Sequence, residues 1–265
     1  MSSEYYLNGT DLDDPQGRWK VMEGTLLPEI ASPVNVSVKI PGRDGVLPMP
    51  TAAFGTSTVT IAFMVQDTVN GRLGGGRAPL DANFNRLLAA LRFRGGLAYL
   101  GYRPAGAEPR HASVRLQSIS SPVYYHQEKI IETTAVFENI DGVWRSDTEY
   151  TVPADDLAQL DGCAMPIYDP LIKVVPTATT VTVQDRVSGS KITWKGPIQA
   201  GKTLVFNPIA YWAEWTDGAW TGGADASSGL SLTSRGFSLT PNSWGRITLA
   251  VTGATNAQVK AMKVY

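Results

Sequence analysis

One stretch with a helical pattern stands alone in a chain that otherwise shows the patterns of β-strands. Residues 81–92, DANFNRLLAALR, bring four apolar side chains to one side at helical spacing, namely Phe84, Leu87, Leu88 and Leu91. Before and after this stretch the apolar residues alternate, as they do in strands. Beyond about residue 166 no helical pattern occurs. The sequence therefore predicts a mostly β protein, with a first α+β part that lays one helix on a sheet and a second all-β part.

Four segments of the first part have distinctive patterns. Residues 58–65, TVTIAFMV, are apolar on both faces, which predicts a strand covered on both sides by the helix or by another chain. Residues 71–79, GRLGGGRAP, hold four glycines and predict a flexible, exposed loop. Residues 120–129, SSPVYYHQEK, lie between two strand patterns and predict a hairpin tip or arm. Residues 34–40 alternate strictly and predict a strand with one solvated face.

Chain length and composition predict two domains. A chain of 265 residues is near the size at which one core divides into two. Residues 151–165 are polar, contain Pro153 and show no sustained period, which is typical of a linker. The prediction is a first domain at 1–150, a linker at 151–165 and a second domain at 166–265. The last segment contains about seven short strand patterns separated by turn signals, and these favour a two-sheet sandwich.

Charge and cysteine content exclude several classes of protein. The net charge is −1, so the chain lacks the basic excess that neutralises the phosphate backbone of nucleic acid, and we expect no contact with nucleic acid. Cys163 is the only cysteine, so no internal disulfide can form. Apolar runs are too short to cross a bilayer, and the first residues do not resemble a secretory signal. We therefore expect a protein that is made in a cytoplasm and does not insert into a membrane.

No set of catalytic or metal-binding residues is recognisable. With two histidines and one cysteine, a zinc site cannot be built from these residue types alone. Asp11, Asp13 and Asp14 suggest a calcium loop, but Gln16 stands where the loop requires glycine. The glycine run before the helix lacks the lysine–serine pair of a nucleotide-binding loop. The sequence therefore predicts no enzyme activity, no cofactor and no metal.

The remaining candidate for ligand binding is an aromatic cluster in the second half. Trp212, Trp215 and Trp220 lie close together in sequence, and indole rings stack on the C–H faces of sugars. Nearby carboxylates at Glu214, Asp217 and Asp225 would accept hydrogen bonds from sugar hydroxyls. The alternative is that the rings fill the core of the sandwich or an interface, where aromatic residues are common. The least favoured hypothesis is that Glu214 and Asp217 form a catalytic acid–base pair, because nothing in the sequence places them on opposite sides of a cleft.

Several segments resemble the distal tail protein family of long-tailed, siphovirus-type bacteriophages. They are the opening YYLNGTDLDDPQGRWKVMEGTLLP, the strand ending in KIPGRDGVLP, the strand TVTIAFMV, the single helix and the closing FENIDGVW. In the second half, TVTV, KITWKGPIQAGKTLVFNP and RITLAVTG resemble the galectin-like sandwich that follows in the same family. The resemblance spans nearly the whole chain and rests on the order of the segments.

The resemblance implies a structural role in the virion. It implies a ring-forming domain at 1–150, a sheet or split barrel with one helix, and a galectin-like β-sandwich at 166–265. Family members form a hexameric ring at the tail tip, or baseplate, that joins the tail tube to the tail-tip hub and the host-adhesion apparatus. The implied partners are further copies of the chain, the tail tube protein and the hub protein, with the tape measure protein as a further candidate. The chain would be synthesised in the bacterial host cytoplasm. The alternative function is a carbohydrate-binding protein that uses its C-terminal sandwich.

Overall fold

The chain forms two compact units, Met1–Trp144 and Arg145–Tyr265. The computed structural model describes residues 4–22, 25, 33–38, 47–92, 96–103, 105–127, 129–232 and 236–265. Strands account for 48% of the structure, and the described residues contain one α-helix. The prediction of a mostly β fold with a single helix in the first part is therefore confirmed.

The first unit consists of one large antiparallel sheet, a separate hairpin and the helix. Its elements are β1 Tyr5–Leu7, β2 Thr10–Asp11, β3 Trp19–Val21, β4 Pro33–Val38, β5 Leu47–Phe54, β6 Ser57–Gln66, α1 Arg77–Leu91, β7 Ala98–Tyr102, β8 Arg110–Ile119, β9 Val123–Tyr125 and β10 Ile130–Asn139. The large sheet has the order β3-β6-β10-β8-β7-β1-β2, and β9 also pairs with β10. β4 pairs with β5. The predicted outward face of residues 34–40 lies outside the described residues.

The core of the first unit lies between α1 and the buried face of β6. Four residues of β6 at a spacing of two are completely buried, namely Val59, Ile61, Phe63 and Val65. The helix begins four residues before the predicted position and ends at Leu91. Leu87 and Leu91 are completely buried, as the pattern predicts, whereas Leu88 is half-buried. Asn83 is also buried, and its Nδ2 atom donates to the carbonyl oxygens of Gln66 and Thr68, both at 2.9 Å.

The second face of β6 is less covered than the sequence predicts. Thr60, Ala62 and Met64 alternate with the buried residues and are half-buried. Val136 of β10 lies directly opposite Thr60 and is also half-buried. A single chain therefore buries one face of this strand completely and the other only in part. Cover by a second chain stays a prediction.

The second unit consists of two antiparallel sheets. Its elements are β11 Arg145–Pro153, a 3₁₀ turn Ala158–Leu160, β12 Leu171–Pro176, β13 Thr180–Asp185, β14 Lys191–Lys195, β15 Thr203–Asn207, β16 Trp212–Thr216, β17 Ala224–Asp225, a 3₁₀ turn Ser227–Gly229, β18 Leu230–Leu232, β19 Leu249–Thr252 and β20 Ala254–Val264. One sheet has the order β17-β16-β15-β12-β20-β11, and the other has the order β18-β14-β13-β19. This arrangement agrees with the predicted sandwich, and its galectin-like character stays a prediction.

The two sheets of the second unit meet at an aromatic contact. Trp194 of β14 and Trp215 of β16 lie edge to face, with ring centroids 5.2 Å apart and an interplanar angle of 88°. Trp194 donates from Nε1 to the carbonyl oxygen of Ala226 at 2.9 Å, so its one polar atom is paired. Edge-to-face pairs of buried rings stabilise a fold by more than the burial of their apolar surface alone would. The indole rings therefore join the two sheets of this unit.

The division between the two compact units does not coincide with the predicted linker at 151–165, and the predicted domain ranges stay a prediction. The units divide after Trp144, and residues 145–153 form a strand of the second unit that pairs with β20. The rest of the predicted linker is packed, because Leu157, Leu160 and Cys163 are buried. The segment has the polar composition of a linker because β11 buries few of its side chains, among them Ser146 and Val152. Strand β11 is held by backbone hydrogen bonds to β20, so its sequence need not alternate between apolar and polar residues.

Candidate interaction surfaces

The three tryptophans of the predicted sugar platform do not lie on one surface. Trp212 and Trp215 are three residues apart on β16, so their side chains point to opposite faces of the sheet. Trp215 is only 5% exposed, whereas Trp212 is half-buried. The ring of Trp215 is enclosed between the sheets, which leaves little of its face for a sugar. Sugar stacking by Trp212, Trp215 and Trp220 stays a prediction.

Trp220 lies in the loop that follows β16 and is covered by a lysine. The Nζ atom of Lys173 lies 4.4 Å from the centre of the Trp220 ring and also donates to the carbonyl oxygen of Gly218 at 2.9 Å. A lysine ammonium over an indole face is a favourable cation–π contact. This contact holds the loop against β12 and occupies one face of the ring.

The carboxylates that were predicted to accept sugar hydroxyls already have partners. Glu214 accepts hydrogen bonds from the backbone N–H groups of Gly222 and Gly223 at 2.9 and 3.0 Å. Both oxygens of Asp217 lie within 2.7 Å of Lys202 Nζ. Hydrogen bonds from the Ser227 hydroxyl and backbone N–H lower the pKa of Asp225. These groups organise loops of the second unit rather than one open cleft.

The acidic turn near the N-terminus is also internally paired. Asp14 is buried and accepts hydrogen bonds from the backbone N–H groups of Gln16 and Arg18 and from the Arg18 guanidinium. Burial alone would raise the pKa of Asp14, but these hydrogen bonds and the charge of Arg18 lower it. Asp11 lies 2.6 Å from Arg103, and Asp13 accepts from the backbone N–H of Val21. The three carboxylates therefore build a turn and do not converge on an ion.

The histidines and the cysteine lie apart from one another. His111 makes an edge contact with Tyr99, His126 stacks on Tyr124, and Cys163 is buried and donates to the carbonyl oxygen of Leu160. Among the described residues no group of three or more histidine, cysteine and carboxylate side chains could hold a metal ion. Likewise, no helix in the described ranges is both long and apolar enough to span a bilayer.

The glycine-rich loop before α1 is anchored by a single buried carboxylate. Asp67 is 3% exposed, and its two oxygens accept hydrogen bonds from the backbone N–H groups of Gly74 at 3.1 Å and Gly76 at 2.9 Å. The backbone N–H of Gly75 donates to the Asp67 carbonyl oxygen at 3.0 Å. The sequence predicted a flexible loop, whereas the structure ties three consecutive glycines of the loop, Gly74 to Gly76, back to Asp67. Its tip stays exposed, with Leu73 at 68%.

The Asp67 anchor gives a pH-dependent prediction. Burial would raise the pKa of Asp67, but the hydrogen bonds from Gly76 and Gly74 lower it below its ordinary value. A carboxylate with a lowered pKa in the folded state stabilises the fold above its unfolded pKa of about 3.9, and this contribution is lost as the pH falls through the folded value. We expect Asp67→Asn to destabilise the first unit by about 1.5–3 kcal/mol at pH 7, with a smaller difference near pH 3. Urea denaturation at both pH values measures this.

The matched control for this prediction is Asp81→Asn. Asp81 forms an exposed ion pair with Arg77 across one turn of α1 at 2.9 Å. Such pairs contribute about 0.3–0.5 kcal/mol, so this variant should lose little stability at either pH. Equal losses for the two variants at pH 7 would show that the Asp67 hydrogen bonds do not hold the loop.

The segment predicted as a hairpin tip or arm is attached to the start of α1. β9 and β10 pair, with Tyr125 opposite Ile130, which confirms a hairpin. The Arg77 guanidinium lies 4.1 Å from the centre of the Tyr124 ring. A cleft of about 200 Å³ lies beside this contact, lined by Gly76, Arg77, Leu80, Tyr124, Tyr125, His126, Lys129 and Ile130. The turn end of the hairpin is thus packed against the start of the helix, and a reach toward other chains stays a prediction.

Both units expose large apolar side chains. In the first unit these are Val69, Leu73, Leu97, Tyr99, Val123 and Tyr125. In the second they are Tyr168, Val187, Ile198, Ile209, Tyr211 and Trp244. Trp244 is 84% exposed and sits on a turn closed by the Asn242 carboxamide, which accepts from the N–H groups of Trp244 and Arg246. Nothing in the sequence pattern separates Trp244 from the buried tryptophans.

Comparison with known proteins gives a match in structure alone. No family model and no curated protein matches the chain. The SPP1 Dit (gp 19.1) protein, a paradigm of hub adsorption apparatus in Gram-positive infecting phages, is similar over 99% of this chain and 98% of that chain, with a TM-score of 0.61 and 15% sequence identity. The chain shares its fold with SPP1 Dit. The resemblance to distal tail proteins is thereby confirmed at the level of the fold.

Weaker similarities come from the phage P2 baseplate in its activated conformation. A chain of the structure with Ca is 12% identical, with a TM-score of 0.41 and coverage of 99% of this chain and 98% of that chain. A chain of the structure with Sr is also 12% identical, with a TM-score of 0.38 and coverage of 98% and 97%.

Proposed function

We propose that the chain is a structural component of a phage tail tip, and not an enzyme. The single observation that carries this proposal is the similarity of fold to SPP1 Dit over 99% of the chain. SPP1 Dit is a hub adsorption apparatus protein, and a likeness that spans both units supports the same kind of role here. The segments that resemble distal tail proteins in sequence lie in both units as well.

In this proposal six copies of the first unit form a ring. The half-buried face of β6 and the exposed apolar residues of the loop and hairpin are surfaces that neighbouring copies would cover. A net charge of −1 per chain opposes the packing of identical copies only weakly. Copies that join head to tail form a closed ring when the rotation from one copy to the next is a whole-number fraction of 360°.

The same proposal assigns the partners and the location. The ring joins the tail tube protein to the tail-tip hub protein and the host-adhesion apparatus, and the tape measure protein is a further candidate partner. The chain is made in the bacterial host cytoplasm and resides in the virion. The exposed Trp244 of the second unit is a surface at which another tail-tip component would bind.

The oligomeric state tests this proposal. We expect light scattering and negative-stain images of the purified chain to show a six-fold ring of about 171 kDa, six times the chain mass of 28.5 kDa. Co-expression with the tail tube and hub proteins of the same virus should give complexes that contain the ring. A particle that stays monomeric at every concentration and binds neither protein would contradict the proposal.

A further inference from the structure

The outer face of the sheet β18-β14-β13-β19 carries a row of hydroxyl groups. Residues directly opposite each other on antiparallel strands project to the same face. Thr193 of β14 lies opposite Ser231 of β18 and Thr182 of β13, and Thr182 in turn lies opposite Thr252 of β19. All four side chains are exposed or half-buried. Four hydroxyls thus cross the whole width of the sheet in one line.

Two lysines flank this row on the central strand β14. Lys191 and Lys195 are exposed and lie on the same face as Thr193. Four residues along a strand separate their Cα atoms by roughly 13 Å. Among the described residues neither lysine has an acidic partner, whereas Lys202 lies 2.6 Å from Asp217 and Lys260 lies 2.7 Å from Glu149. The two positive charges on this face are therefore available to a ligand.

A cleft lies over one side of the row. Its volume is about 380 Å³, and it is lined by Lys191, Thr193, Lys195, Gly229, Ser231 and Leu232. Gly229 is required here, because a Cβ atom at this position would lie 2.3 Å from the Lys195 carbonyl oxygen and 2.6 Å from Trp194 Nε1. In the part of the chain that the structure describes, the hydroxyls of Thr193 and Ser231 bond to no other group.

The strand beneath this surface is held rigidly. Ile192 and Trp194 alternate with the outward residues of β14 and are buried in the sandwich. Trp194 is fixed by its hydrogen bond to Ala226 and by its contact with Trp215. A packed strand fixes the spacing of the Cα atoms that carry the outward side chains, whereas the lysine stems themselves stay flexible. The attachment points of the lysines and hydroxyls are therefore presented at a fixed spacing.

We propose that this face, the lysine–hydroxyl surface of Lys191, Lys195, Thr182, Thr193, Ser231 and Thr252, binds an anionic glycan. Hydroxyl side chains both donate and accept hydrogen bonds, as sugar hydroxyls do. The two ammonium groups pair with carboxylate or phosphate groups on the glycan. Two cations on a chain of net charge −1 are too few for nucleic acid. This function goes beyond ring formation and uses none of the surfaces assigned to it.

Calorimetric titration of the full chain with defined oligosaccharides tests the proposal. The probes are a hexamer of galacturonic acid, a phosphorylated mannan oligosaccharide and neutral maltohexaose. We expect at least one anionic probe to bind and maltohexaose to bind at least about tenfold more weakly. Lys191→Gln and Lys195→Gln should each weaken binding about tenfold, and Thr193→Val should weaken it with the charge unchanged.

Lys20→Gln is the matched control, because it removes the same charge from an exposed position on β3 in the first unit. It should leave the affinity within about twofold of the wild type. Equal weakening by all three lysine variants would overturn the proposal, and so would failure of both anionic probes to bind. Tighter binding of hexaglutamate than of the glycans, with no effect of Thr193→Val, would also overturn it in favour of an acidic protein segment. None of these outcomes depends on ring formation, which light scattering reports separately.

Discussion

Replacing Trp215 by alanine is expected to lower the free energy of unfolding of the second unit by about 3–5 kcal/mol. The indole is 5% exposed and lies edge to face with Trp194 between the two sheets. Its removal leaves a cavity that the surrounding strands cannot fill and also removes the aromatic pair. Hydrogen exchange of peptides from β14 and β16 under native conditions measures the loss in this unit alone.

Trp244→Ala is the matched control for this variant. Both substitutions remove the same atoms, but Trp244 is 84% exposed and should change stability by less than about 0.5 kcal/mol. A sugar-stacking role for Trp215 predicts the reverse, namely unchanged stability and a loss of sugar affinity. That result would show that the ring is not enclosed between the sheets.

The sequence predicted those elements whose burial follows a local period. Val59, Ile61, Phe63 and Val65 alternate along β6, and Leu87 and Leu91 follow helical spacing, so their elements were recognisable. Strand β11 was not recognisable from the sequence, because its pairing with β20 joins residues more than a hundred positions apart in the chain. Composition identified a polar segment there but could not show which backbone it bonds to.

The candidate sites were harder to predict than the fold, because they depend on register. The hydroxyl row exists only because Thr182, Thr193 and Ser231 are placed opposite one another by strand pairing. The role of Asp67 likewise depends on glycine N–H groups that the loop folds back toward its carboxylate. Conversely, three tryptophans within nine residues suggested one platform, and the alternation of β16 separates two of them.

Leu91→Ala should destabilise the first unit by about 2–5 kcal/mol. Leu91 is completely buried at the last position of α1, on the helix face that also carries Leu80 and Leu87. The truncated side chain leaves a cavity beneath the end of the helix, because a closely packed interior collapses only in part around a missing side chain. Urea denaturation, with hydrogen exchange of α1 peptides to assign the loss to this unit, measures the effect.

Leu88→Ala separates burial from helix propensity. It makes the same chemical change in the same helix, so both variants gain equally from the higher helix propensity of alanine. Leu88 is half-buried, so part of the apolar side-chain surface that the substitution removes is already exposed to water. We expect it to cost about half as much as Leu91→Ala or less. Equal costs would mean that the buried face of α1 is centred between Leu88 and Leu91. The helix would then be rotated on its sheet, and the hydrogen bonds from Asn83 to Gln66 and Thr68 would have to break. The difference between the two leucines therefore measures the rotation of the helix on its sheet.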